Sequence, residues 1–104
     1  MSKVVLSQLA EGDLLDIAVY TLREWGDAQC TRYLGQLENA CHLLADDPQR
    51  GRPCDDVRPG LFRYETGRHV VFFRRFPDGV RVLRFLHDRM LPEIHDLEGD
   101  EDQE

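Results

Sequence analysis

The chain has 104 residues, enough for one domain with an apolar core of its own and no dependence on disulfides or a structural metal. No run of about 18 apolar residues is present to span a membrane, and the opening MSKVVLSQLAEGD lacks a secretion signal, so a cytoplasmic location is expected. The formal charge of −7 is concentrated at one end: six of the nine residues from Asp96 to Glu104 are acidic, leaving 14 acids against 13 bases in the first 95.

Within that near-neutral body the charge is uneven. Residues 1 to 49 carry eight acids and three bases, whereas residues 50 to 89 carry five acids and ten arginines. Arginine suits forked recognition of carboxylates or phosphates, and a GC-rich genome produces the same bias. Cys30, Cys41 and Cys54 form no CxxC pair, and an odd number fits a reducing compartment. On one helix Cys30 and Cys41 would lie about 16 Å apart, too far for a bridge. His42, His69, His87 and His95 show no HxxxH or Cys/His spacing, so neither a metal nor any other cofactor is expected.

In chain order, KVVLS reads as a short strand and Ser7 as the N-cap of a first helix. Leu14, Ile17, Ala18, Thr21, Leu22 and Trp25 recur at helical spacing, with Gly26 as the stop. Trp25 and Tyr20 are expected to pack between helix and sheet. Asp27 is placed to cap a second helix whose face carries Cys30, Tyr33, Leu34, Leu37, Cys41 and Leu44, ended by the DDP at Asp46. So short a link makes an antiparallel helical hairpin.

A loop rich in proline, glycine and arginine, PQRGRPCDDVRPG, leads into three β-rich runs, LFRYE, RHVVFFRRF and VRVLRFLH, separated by TG and PDG turns. They read as an antiparallel meander. The order β-α-α-β-β-β, with the first strand joining the sheet, predicts an α+β two-layer sandwich: a helical hairpin on one face of a twisted antiparallel sheet. The opposite face is expected to stay open and to carry arginines. The domain is taken as residues 1–97, and 98–104 as a solvated acidic tail with too little apolar content to fold alone.

Trp25-Gly26, GRPCDDVRPG at 51–60, GRHVVFFR at 67–74 and VLRFLHDRM at 82–90 together resemble the ParE family of bacterial type II toxins, within the RelE/ParE superfamily. The resemblance runs from about Val4 to Leu97. It implies a growth-arresting toxin that poisons DNA gyrase by binding, held inactive in a hetero-oligomer by a ParD-like antitoxin. The sequence departs from the family where Met90 is followed by LPEIHDL rather than an aspartate, and in its acidic extension.

RelE relatives instead cleave messenger RNA on the ribosome, and a shared fold does not assign the target. A nuclease of this kind needs clustered basic and aromatic groups, for which Arg84, His87 and Tyr64 are the candidates. With Lys3 the single lysine and a near-neutral body, the footprint for ribosomal RNA is poor, and no direct sequence-specific nucleic-acid binding is expected. A third reading is an inactive module that only binds antitoxin. His87 alone at a strand end is more often a packing residue than a base. Arg84, between Leu83 and Phe85, needs either an acidic partner protein or an internal carboxylate. The residues assigned to antitoxin or target binding are Arg63, Arg68, Arg74, Arg84, Arg89 and Met90, which with neighbouring apolar residues suit an acidic amphipathic peptide.

Overall fold

The computed structural model describes residues 3–90 and Leu97; the expected tail at 98–104 lies outside the described residues, as does His95. Strand β1 (Lys3–Leu6) leads through Ser7 into helix α1 (Gln8–Trp25). Ser7 caps that helix as expected, its hydroxyl oxygen accepting the Ala10 N–H at 3.0 Å. The same hydroxyl donates to the Leu83 carbonyl at 2.7 Å, so the cap also ties the helix start to the sheet.

Helix α1 ends where the Gly26 N–H bonds the Leu22 carbonyl, and the Gly26 carbonyl accepts from Cys30 N–H in the first turn of α2 (Asp27–Asp46). Gly26 makes this one-residue link at φ 87°, a conformation strained for any residue with a Cβ. The cap of α2 is therefore Gly26 and not Asp27, which occupies the first helical position and contributes its charge near the positive end of the dipole.

A 3₁₀ turn at Pro48–Arg50 precedes a two-residue strand β2 (Arg52–Pro53), then β3 (Phe62–Thr66), β4 (His69–Phe76) and β5 (Gly79–His87). The sheet order is β1-β5-β4-β3-β2. The last four strands are successively antiparallel, while β1 lies parallel to β5, so the sheet is mixed. Between Phe72 and Phe73 the β4–β5 register slips: Phe72 faces Arg84 and Phe73 faces Val82, leaving Leu83 as the extra residue of a bulge.

The helical hairpin covers one face, where Ala10, Ile17, Leu37, Cys41 and Leu44 meet Val71, Phe73, Val80, Val82 and Phe85. The other face is not the open surface expected from sequence. The segment from Cys54 to Leu61 folds over it, closed by a Cys54 N–H bond to the Leu61 carbonyl at 2.8 Å, and a second apolar cluster joins Cys54, Leu61, Val70, Phe72, Leu83, Leu86 and Leu97. The reason is legible in the strand itself: Val70, Val71, Phe72 and Phe73 are four apolar residues in succession, which alternation sends to both faces.

A second correction concerns α1. Trp25 and Tyr20 are 70% and 63% exposed, not packed in the core, and Leu22 is also exposed. The helix presents Ala10, Ile17 and Thr21 to the interior instead, with Leu14 packed alongside. These include small side chains that let the helix axis come close to the sheet.

Candidate functional site

Strand β1 stops at Leu6, so the edge of β5 beyond Val82 faces the first turns of α1 instead of another strand. Asp13 uses that opening. Its Oδ2 accepts from the Phe85 backbone N–H at 2.9 Å and from Arg84 Nε at 2.7 Å, and its Oδ1 accepts from Arg84 Nη2 at 2.8 Å. The two side chains are only 15% and 12% exposed. This is a two-pronged, charge-assisted pair in a partly dehydrated setting, the geometry in which a guanidinium and a carboxylate hold each other best. Of the two partners considered for Arg84, the internal carboxylate is present.

At the far end of β5 a second group gathers. His69 on β4 stands across from His87, their rings edge to face with centroids 5.4 Å apart. The Tyr33 hydroxyl of α2 donates to His69 Nδ1 at 2.5 Å and accepts from the Arg68 N–H at 3.0 Å. Burial, then the neighbouring His87, holds His69 below the usual histidine range, while Asp88 and Asp13 pull weakly the other way. A neutral ring with a bare Nδ1 is the form that can accept the tyrosine proton. Burial in turn raises the Tyr33 phenol above its ordinary value and keeps it a donor.

His87 Nδ1 lies 3.0 Å from Asp88 Oδ1 and 3.2 Å from the Arg89 N–H. Bare, that nitrogen accepts from Arg89; carrying a proton, it donates to Asp88. Asp88 N–H also bonds the Arg68 carbonyl, and Met90 N–H the His87 carbonyl, which fixes the strand exit against the β3–β4 turn. A cavity of about 180 Å³ opens here, with Asp13, Asp16, Arg84, His69, His87 and Met90 in its wall.

Of the three nuclease candidates, the structure thus brings Arg84 and His87 to one cavity and puts Tyr64 elsewhere. Tyr64, on β3, pairs with Val71 of β4 and packs against the helix-side core, so that β4 lies between it and β5. The six residues assigned to binding fall into separate groups. Arg68, Arg89 and Met90 are exposed around the strand exit, with Arg84 behind them in its pair with Asp13. Arg63 and Arg74 lie on the outer face: Arg63 sits above the Phe72 ring and near Glu65, and Arg74 donates to the Pro59 carbonyl at 2.8 Å.

Asp13, His69 and Tyr33 were not singled out from sequence as site residues. A signal existed for Asp13, since a strand arginine flanked by apolar residues demands an acid. Several acids in the N-terminal half could have supplied it.

Chemically, the arrangement favours holding over reacting. The fork of Arg84 is closed on a carboxylate, and His69 Nδ1 is occupied by Tyr33. Burial pushes the Cys41 thiol up to about 12, far from a thiolate nucleophile at neutral pH. Among the described residues no three His, Cys, Asp or Glu side chains gather as a metal site requires.

Known proteins share this fold and much of this sequence. The family model described as ParE toxin of type II toxin-antitoxin system, parDE, matches residues 4–92. Toxin ParE1 of Mycobacterium tuberculosis is 38% identical over 90 residues, which cover 86% of this chain and 92% of that protein. Toxin ParE1 of Caulobacter vibrioides is 38% identical over 92 residues, and Toxin ParE of Escherichia coli 35% over 91, each again covering 86% of this chain and 93% and 88% of those proteins. Among solved structures, a chain of the chromosomal ParDE TA system from P. aeruginosa superposes with a TM-score of 0.70 at 17% identity, over 84% of this chain and 96% of that one, a likeness of fold.

Proposed function

From the premise that this chain belongs to the ParE toxin family of type II toxin–antitoxin systems, we propose that it arrests growth by binding DNA gyrase and is neutralised by a ParD-like antitoxin in a hetero-oligomer. The observation that carries the binding mechanism is the closed Arg84–Asp13 pair. The cation most centrally placed for phosphate chemistry is already held by a carboxylate, and Tyr64 is remote from it.

Two exposed surfaces suit a protein partner. One is the basic strand exit with Arg68, Arg89 and Met90. The other is the outer side of α1, where Leu15, Val19, Leu22 and Trp25 stand exposed. Leu15, Val19 and Leu22 recur at four and three residues and so share a stripe, the form of anchor an amphipathic antitoxin segment would meet. Exposed apolar side chains grouped in one stripe suit an interaction surface better than singly scattered ones do.

Induced expression should arrest growth, and co-expression of the antitoxin should restore it. Purified protein should inhibit gyrase supercoiling or stabilise cleaved DNA. A nuclease of the RelE kind is the second reading, because Arg84 and His87 share one cavity wall. Intact gyrase activity together with messenger RNA cut in a translating extract, lost in H87A, would replace the first reading by the second. Normal growth despite soluble expression would mean an antitoxin-binding module without toxicity.

A further inference from the structure

The edge of β5 that β1 leaves uncovered has a definite hydrogen-bonding pattern. The Asp88 N–H bonds the Arg68 carbonyl at 2.8 Å, so the facing residues His69 and His87 form a pair whose own backbone groups turn away from β4. Phe85, two residues back and opposite Val71, turns the same way, and its N–H accordingly meets Asp13 Oδ2. Beyond Leu83 the outer edge therefore carries the N–H and C=O of Phe85 and of His87. Two of these groups are taken within the chain: the Phe85 N–H by Asp13, and the His87 carbonyl by the Met90 N–H at 2.9 Å. The Phe85 carbonyl and the His87 N–H have no hydrogen-bond partner among the described residues.

These two groups are the ones a parallel strand takes. Where β1 runs along β5, Lys3 is in register with Gly79 and its N–H bonds the carbonyl of the preceding residue, Asp78, at 2.8 Å. In such a ladder the same residue's carbonyl accepts from the residue that follows the one in register. A residue in register with Leu86 would give its N–H to the Phe85 carbonyl and accept the His87 N–H. An antiparallel strand would need both groups of Phe85 or both groups of His87, and each residue already has one engaged. The edge is set for one parallel residue.

Beside this edge lies the cavity of about 180 Å³. Phe85 faces the helix-side core, so alternation puts the side chain of the next residue of such a strand, in register with His87, on the helix side as well. There Ile17 and Met90 supply apolar wall, and Asp16 of α1 stands exposed in the same wall with no ion pair among the described residues. A long aliphatic stem that ends in a cation suits such a space.

We propose that the free edge of β5 at Phe85 and His87 receives one extended residue of a partner protein, parallel to β5, and that a lysine or arginine following it enters the cavity and pairs with Asp16. The main-chain bonds supply attachment, and the cavity supplies the choice of side chain. The site uses none of the exposed apolar side chains of α1 and holds whatever the toxin's target.

The test uses the full chain, isotopically labelled and followed by amide spectra. With no peptide present, the His87 N–H should exchange with solvent faster than the Leu86 N–H, which faces β4. Equal protection of the two would overturn the open edge. The probe is acetyl-TVKT-amide, whose valine would take the register of Leu86, and it should displace the His87 resonance saturably. Methylating the valine nitrogen removes the bond to Phe85, and glutamate in place of lysine meets Asp16 with like charge; each analogue should bind at least about fivefold more weakly. In Asp16→Asn the preference for lysine over glutamate should fall below about twofold, while the effect of methylation stays. A His87 resonance that the peptide leaves unmoved, or that the methylated analogue moves equally, would overturn the parallel attachment. Lysine and glutamate peptides that bind alike, or a preference unchanged in Asp16→Asn, would overturn the role given to the cavity. A His87 shift that appears on concentrating the protein alone would give the edge to a second copy and overturn the partner.

Discussion

At the scale of single residues, the Arg84–Asp13 pair makes the sharpest demand. Removing one partner of a half-buried pair leaves the other charge stranded, a loss worth about 3 kcal/mol. Asp13→Asn should lower the urea midpoint accordingly with little change in m-value, because the amide oxygen still accepts the Phe85 N–H while the charge on Arg84 goes unmatched. Asp13→Ala should cost more, since it also orphans that backbone donor. An unchanged midpoint in both variants would mean the pair contributes nothing net. The need for a partner was legible in VLRFL; its identity was not, because Asp13 and Arg84 are 71 residues apart in the chain.

His69 carries a pH dependence whose sign is fixed by its surroundings. Burial and His87 depress its folded value below the unfolded 6.5. The unfolded chain therefore takes up the proton first as pH falls. The stability due to the neutral, Tyr33-bonded ring is complete above 6.5 and is lost as pH falls through the depressed folded value. Urea titrations at about pH 7.5 and at about pH 5 should show a smaller loss in His69→Asn than in the unaltered chain. An equal loss in both would place the acid sensitivity in the carboxylates alone.

At the scale of elements, α1 shows why a helical period does not by itself fix rotation. Leu14, Ile17 and Thr21 of the expected stripe do face inward, but the stripe extends toward Ala10 and not toward Leu22 and Trp25. Hydrophobicity ranks Trp25 as core, whereas close approach of the helix to the sheet selects the smaller Ala10 and Thr21. It follows that L22E/W25E should alter thermodynamic stability by no more than about 0.5 kcal/mol, as surface changes usually do. Affinity for the antitoxin, measured by calorimetry, should nevertheless fall at least about tenfold, or about 1.4 kcal/mol. Undiminished affinity would remove α1 from the proposed interface. The outer face of the sheet repeats the point: four successive apolar residues in β4 announce two buried faces, yet the Pro/Gly/Arg loop that covers one of them has no periodicity to declare its position.

At the scale of the whole molecule, the parallel docking of β1 on β5 closes the fold. Gly79 lies beside Lys3, and a Cβ there would stand 2.0 Å from the Lys3 carbonyl oxygen, so only glycine permits the strands to meet at this register. The sequence alone determined the two helices and the four longer strands, their order, the Ser7 cap, the glycine link between helices and membership of the family, because each rests on local periodicity, turn chemistry or a contiguous motif; the short β2 lay hidden in the loop. Tertiary structure alone decided which side of α1 is buried, which segment covers the outer face of the sheet, that Arg84 closes on Asp13 and that Leu97 returns to the outer cluster. Those outcomes depend on which distant groups meet, and satisfying a buried charge or an apolar face admits many partners in sequence but only one in space.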